Sequence, residues 1–135
     1  MIAKIDNAAT TLLSIPLKRP VEGHPYLGRR ATSNFVILQL KSEDGLNGFG
    51  LAHTSTIGKA RALAVMMHEL FPLLIGQSAL DHERVYQRAF TFFTDLGHSG
   101  AALQSLAAVD IALWDLKGNA LSQPLHRLLG ARRER

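Results

Sequence analysis

The chain has 135 residues, 47% hydrophobic and 19% charged, with a formal net charge of +4 and no cysteine. That composition describes one folded domain with enough apolar mass for a core and no room for a large barrel, and it argues against disorder. Disulfides, thiol nucleophiles and thiolate-bound metals are excluded, and no apolar run approaches the roughly 20 residues of a bilayer span.

The amino terminus, Met1-Ile-Ala-Lys-Ile-Asp6, lacks the charged-then-apolar layout of a signal peptide, so a cytoplasmic location is expected. Up to about residue 52 the pattern is strand-like. Thr11, Leu13 and Ile15 alternate with smaller or polar neighbours, and Pro16 and Pro20 are expected to end that run. Residues 17–32 carry Pro20, Gly23, Pro25 and Gly28 without periodicity and read as a long loop, a kind that is usually functional or disordered. Residues 34–41 form a second strand with Val36, Leu38 and Leu40 on one face. The Asp44-Gly45 pair predicts a hairpin turn, and residues 46–52 return as a third strand. Gly48 and Gly50 in that strand suggest a bulge or a close backbone approach. So short a sheet must pack on the segments C-terminal to it.

From there the spacing is helical. Ala60, Leu63, Met67, Leu70, Phe71 and Leu74 form one apolar face, with Pro72 disrupting its end. Asp81 is a candidate N-cap for a helix striped by Val85, Tyr86, Ala89, Phe90 and Phe93. Residues 94–99 read as a loop, and Ser99 caps a long helix running to about Lys117. That helix is expected to bury Leu103, Leu106, Val109, Ile111, Leu113, Trp114 and Leu116. A break is expected at Gly118-Asn119, then a short helix with Ser122 as N-cap, Pro124 in its first turn and Gly130 past its end. Strands first and helices afterwards indicate an α+β domain.

The positive charges are scattered (Lys18-Arg19, Arg29-Arg30, Lys59, Arg61, Arg84, Arg88, and the tail Arg132, Arg133 and Arg135) and do not interleave with aromatic residues. Specific nucleic-acid binding is therefore not expected. Asp110 falls on the apolar stripe of the long helix, where a carboxylate must be paired or become neutral. With no second carboxylate or histidine at an adjacent helical position, a structural carboxylate held by backbone N–H groups or an arginine is favoured over a catalytic acid. Asp115, beside Lys117, reads as a surface or interface pairing. None of the six histidines has a partner at metal-ligand helical spacing. His68 and His82 read as solvated helix residues. His24 and His53 lie in loops at strand ends near Tyr26, Thr54, Ser55 and Thr56, where ligand contacts concentrate. Gly45-Leu-Asn-Gly-Phe-Gly50 has glycines in the wrong order and context for a phosphate fingerprint, and no hydrolase nucleophile motif or P-loop occurs.

The run Ala107-Ala-Val-Asp-Ile-Ala-Leu-Trp-Asp-Leu-Lys-Gly118, followed by Gln123-Pro-Leu-His-Arg-Leu-Leu-Gly130, resembles the end of the N-terminal domain in mandelate racemase/muconate lactonizing enzymes, a branch of the enolase superfamily. Upstream, Ile15-Pro16-Leu17, Asp44-Gly45, Gly48-Phe-Gly50 and Leu74-Ile-Gly-Gln77 agree in order, so the resemblance covers essentially the whole chain. It implies a three-stranded antiparallel meander followed by a helical bundle, spanning residues 1–130 and capping a (β/α)8 barrel. The barrel is expected to be absent from this chain, with residues 131–135 a basic tail leading toward it. In such enzymes the barrel carries the bases and acidic metal ligands that abstract the proton α to a carboxylate and stabilise the enediolate on Mg²⁺. No catalytic residue, metal ligand or cofactor is therefore expected here, and the chain alone should be inactive.

The resemblance further implies that residues 17–32 and 51–58 close over the barrel mouth and select a small carboxylate substrate. His24, Tyr26, His53 and Thr54 are the candidate substrate contacts. Where many relatives carry a glutamate after the Gly-aromatic-Gly turn, this chain has Leu51-Ala52-His53, closer to the mandelate racemase-like branch than to dipeptide epimerases. A homo-oligomer is expected, with neither nucleic acid nor membrane as partner. The alternative is a stand-alone, non-catalytic interaction module that retains this fold.

Overall fold

The computed structural model describes residues 3–22 and 28–132. Three antiparallel strands, β1 (Ile5–Glu22), β2 (Arg29–Ser42) and β3 (Asn47–Thr54), form a sheet in the order β1-β2-β3. Helices α1 (Ile57–Leu74), α2 (His82–Phe92), α3 (Gly100–Leu121) and α4 (Leu125–Leu128) follow, with 3₁₀ turns at Ala79–Asp81 and Thr94–Leu96. This is the meander-then-helices order that the resemblance implies.

The period-2 pattern of β2 decides which face is covered. Val36, Leu38 and Leu40 are fully buried, and α1 and α3 lie over them. Between β2 and β3 the hairpin closes at Gly45, whose φ of 83° suits glycine, with the Ser42 hydroxyl accepting the Leu46 N–H at 3.1 Å. Before β1, Ala3 is pinned to the segment after α1, its carbonyl accepting the Ala79 N–H at 3.0 Å. Lys4 pairs with Glu43 at 2.9 Å, and that carboxylate, by accepting a hydrogen bond, raises the pKa of the ammonium.

The expected loop over residues 17–32 is mostly strand. β1 runs through Pro16 and Pro20 to Glu22, and β2 begins at Arg29, so the two extend as a long arm beyond the body of the sheet. Proline is tolerated because β1 is an edge strand, with an irregularity in register between Pro16 and Val21. Leu13 and Ile15 pair with Phe35 and Ser33 on the face away from the helices and are exposed.

The glycines of β3 create a close approach and no bulge, since its register with β2 is continuous from Asn34↔Thr54 to Lys41↔Asn47. A Cβ on Gly48 would lie 2.5 Å from Leu116 Cβ and 2.6 Å from Leu116 N, and one on Gly50 would lie 2.9 Å from Ala112 N. The helix backbone therefore rests directly on the strand. Asp115, expected as a surface or interface pairing, adds a polar joint, its carboxylate accepting the Phe49 N–H at 2.8 Å, while the Lys117 ammonium sits over the Trp114 ring.

On α1 the expected face is buried at Ala60, Leu63, Met67, Leu70 and Leu74, and the helix runs two residues past Pro72 because Leu74 is anchored in the core. α3 departs from expectation at both faces. Leu106, Val109, Leu113 and Leu116 are buried, but Leu103 and Ile111 are 42% and 48% exposed. Leu103 stands on the side away from Ala108 and Ala112, the residues that meet the β3 glycines, and Ile111 flanks that seam beside Phe49. Nor does α3 break at Gly118-Asn119. Asn119 Nδ2 donates to the Asn47 carbonyl at 2.8 Å, holding that turn to the sheet, and the helix ends at Leu121. Ser122, with φ 50° and ψ 39°, is the left-handed C-cap of α3 and not the N-cap of α4, a place Pro124 takes.

Candidate functional site

The pairing of β2 with β3 ends at Asn34↔Thr54. Beyond that pair the sheet forks. Residues Arg29–Ser33 of β2 continue with β1 as the arm, while the chain leaving β3 turns through Ser55 and Thr56 into α1. Two adjoining cavities open at the fork. The larger, about 590 Å³, is lined from the arm by Arg29, Arg30 and Thr32 and from the turn by Ser55 and Thr56. The smaller, about 450 Å³, shares Arg30 and Ser55 and adds His53, Thr54, Lys59 and Gln104. Three cationic side chains and several hydroxyls thus surround the fork. Glu22 also lines the larger cavity, 3.7 Å from Arg29, so Arg30, which borders both cavities, is the cation best placed for a hydroxylated anion.

The turn is well braced. Thr56 caps α1 by accepting the Lys59 N–H at 3.3 Å, and Lys59 Nζ donates to Ser55 Oγ at 3.2 Å. Thr54 is buried, its hydroxyl donating to the Thr56 carbonyl and accepting the Thr56 N–H. His53, one residue earlier on the opposite face, places Nε2 2.8 Å from Ser33 Oγ and its ring 5.0 Å from that of Phe35. His53 and Thr54, expected in the loop after the third strand, are instead its last two residues and border the smaller cavity, with their polar atoms engaged. His24 and Tyr26 lie outside the described residues.

Sequence reasoning passed over Asn34. Only 1% exposed, it donates from Nδ2 to the Ser55 carbonyl at 3.2 Å and to Thr32 Oγ1 at 3.3 Å. The Ser55 carbonyl can only accept, which fixes the amide orientation. Asn34 Oδ1 is left buried without a hydrogen-bond partner, a state that costs about 1–3 kcal/mol. The available signal was a polar residue two positions before Val36, on the apolar face of β2. Arg30 and Lys59 gave no local signal of convergence.

A second polar cluster joins α2 to α3. His82 is 6% exposed, with Nε2 2.7 Å from Asp110 Oδ1 and its ring 4.3 Å from that of Trp114. This corrects the expectation of a solvated His82 and supplies Asp110 with an imidazole partner in place of backbone or arginine. Asp110 stands at the edge of the buried face of α3, half exposed, so helical spacing alone mislocates it. The enclosed imidazole makes this pair an interhelical joint. Among the described residues no three His, Asp or Glu side chains converge as a metal site, so these residues do not fit a divalent cation. Among them, too, no helix is long and apolar enough to cross a membrane.

Residues 8–130 match the family described as mandelate racemase/muconate lactonizing enzyme, N-terminal domain. The chain is 30% identical over 135 residues to L-talarate/galactarate dehydratase of Salmonella typhimurium, covering 97% of this chain and 34% of that enzyme. It is also 30% identical over 126 residues to 3,6-anhydro-alpha-L-galactonate cycloisomerase of Streptomyces coelicolor, covering 93% and 35%. The crystal structure of the Salmonella dehydratase, liganded with Mg and L-lyxarohydroxamate, superposes with a TM-score of 0.84 at 27% identity, over 97% of this chain and 34% of that one. The chain thus spans about a third of the length of these relatives. With its strand order, its helices on one sheet face and this match, the chain belongs to the mandelate racemase/muconate lactonizing enzyme family of the enolase superfamily, as an N-terminal domain.

Proposed function

We propose that residues 1–130 act as the capping, substrate-selecting domain of an enzyme that abstracts the proton α to the carboxylate of a small acid, as a racemase, cycloisomerase or acid-sugar dehydratase. Residues 131–135 lead to the C-terminal barrel, which carries the bases and the Mg²⁺ site; no catalytic step falls to this domain. The observation that carries the reading is the fork, where the arm and the β3–α1 turn enclose cavities edged by Arg29, Arg30 and Lys59. Guanidinium and ammonium groups suit a carboxylate, and the neighbouring hydroxyls and amides suit a hydroxylated chain. The carbohydrate acids named in the relatives belong to that chemical class. His24, Tyr26, His53 and Thr54 are proposed as the substrate-side contacts of the two capping segments.

A second feature supports the reading. Leu103 and Ile111 of α3, Leu125 of α4 and Leu129 just after it are exposed, and Phe49 joins Ile111 and Leu125 around one surface depression. An apolar surface of this kind marks an interface, here proposed to be covered by the barrel or by a second subunit.

The test joins this domain to a barrel. Replacing the matched N-terminal third of the Salmonella dehydratase with this chain should give a folded enzyme whose preference among hydroxylated acids differs from the parent's. Arg30→Ala in that chimera should raise KM more than it lowers kcat. A folded chimera with the parent's preference, indifferent to Arg30, would refute the capping role. Sequencing beyond the Arg135 codon separates the alternatives: a barrel-coding frame supports the capping reading, and its absence favours the stand-alone module.

A further inference from the structure

We propose that the fork is clasped on both faces of the sheet, by Asn34 within and by His53–Ser33 without, so that the arm and the β3–α1 turn respond to an occupant as one unit. The proposal rests on the capping role for its functional meaning. Its geometry stands independently. Backbone pairing between β2 and β3 stops at Asn34↔Thr54, so nothing in the ladder beyond that point holds the two branches together. On the covered face, the Asn34 amide reaches both branches, Thr32 on the arm and Ser55 on the turn. On the open face, Ser33 from the arm meets His53, the partner of Phe35 across the ladder.

Asn34 is a positioning residue. Its two donated bonds face departing segments, and its Oδ1 stays buried and unpaired. A leucine of similar size would fill the same space without an orphaned acceptor, so packing alone gives no reason for an amide here. What only the amide supplies is the double link. Because Arg30 and Ser55 border both cavities, the distance between the branches sets the shape of both at once.

The test tracks transmission across the fork in the 135-residue chain, by amide hydrogen exchange. Thr56→Ala removes the cap of α1 and loosens the turn. If the clasps couple the branches, exchange at Thr32 and Ser33 accelerates about fivefold, the scale of one lost hydrogen bond. In Asn34→Leu/Ser33→Ala, the same Thr56→Ala change leaves the arm unmoved, while exchange in the centre of α3 is unaltered in every variant. An arm that ignores Thr56→Ala in the native background overturns the proposal, and so does an arm that responds to it equally without the clasps. Should the double variant fail to fold, Asn34→Leu and Ser33→Ala singly carry the same comparison: each must weaken the arm's response to Thr56→Ala, and an undiminished response in both overturns the proposal. Exchange needs no substrate, so an inert chimera with coupling intact defeats the capping role alone, and an active one without coupling defeats the clasp alone.

Discussion

Gly50→Ala is the most direct perturbation of the contact that holds this fold together. The added Cβ would run into the Ala108 carbonyl oxygen and lie 2.9 Å from both the Ala108 carbonyl carbon and Ala112 N. All three are backbone atoms of α3, so no rotamer change relieves the clash. Restoring ordinary carbon contacts requires the helix to retreat by about an ångström, and a gap of that order forfeits about half of each dispersion contact along the seam. The retreat also stretches the Phe49 N–H bond to Asp115 and the Asn119 bond to the Asn47 carbonyl, both now 2.8 Å. Overpacking against side chains costs about 1–3 kcal/mol, and against unyielding backbone with two strained hydrogen bonds about 3–5 kcal/mol is expected. Against a total stability of about 5–15 kcal/mol, that is enough to lower the urea midpoint steeply or to prevent folding. The assay is urea denaturation followed by circular dichroism. Gly58→Ala serves as the control: it lies in the first turn of α1 with nothing near its Cβ, and should be neutral or stabilising by up to about 1 kcal/mol. A Gly50→Ala unfolding free energy within about 0.5 kcal/mol of the parent would refute the direct seating of α3 on β3.

Other expectations concern the α2–α3 joint and the outer surface. Removing His82 or Asp110 singly should destabilise the domain by about 1–3 kcal/mol, with a coupling of at least about 0.5 kcal/mol in the His82→Ala/Asp110→Ala cycle by urea denaturation. Additive losses would show that the 2.7 Å contact does not persist in solution. Asp115→Ala should cost about 1 kcal/mol, and Lys117→Ala less, since the carboxylate serves Phe49 and not the lysine. Sedimentation velocity should show concentration-dependent self-association of the chain that Ile111→Glu weakens, at a stability change under about 0.5 kcal/mol. A monomer at every concentration would show that the exposed apolar residues of α3 form no sticky surface.

The local pattern of the chain carried much of this architecture. Val36, Leu38 and Leu40 at period two, the α1 stripe at period 3.6 and Asp44-Gly45 between two strands each concern residues within one or two turns of one another, where spacing maps directly onto a face. The family resemblance in Ala107–Gly118 was legible for the same reason: it is a contiguous helix. Local rules failed where a distant element overrode them. Proline reads as a strand breaker, yet Pro16 and Pro20 remain within β1 because, among the described residues, no further strand lies on its outer edge. The helix continues past Gly118 because Asn119 finds the Asn47 carbonyl, 72 residues away in sequence.

By itself, then, the sequence determined the order of elements, the inward face of β2, the stripe of α1 and the family. Which polar residues matter was set by contacts between elements distant in the chain. Asn34, His53 and Ser33 gain their roles where the strands part, and His82 gains Asp110 because α2 lies across α3. Which side of α3 is buried was also settled in three dimensions. The missing side chains at Gly48 and Gly50 draw Ala108 and Ala112 onto the sheet and turn Leu103 and Ile111 outward. Hydrophobicity tells a helix that it must be covered; the shape of the facing surface decides on which side.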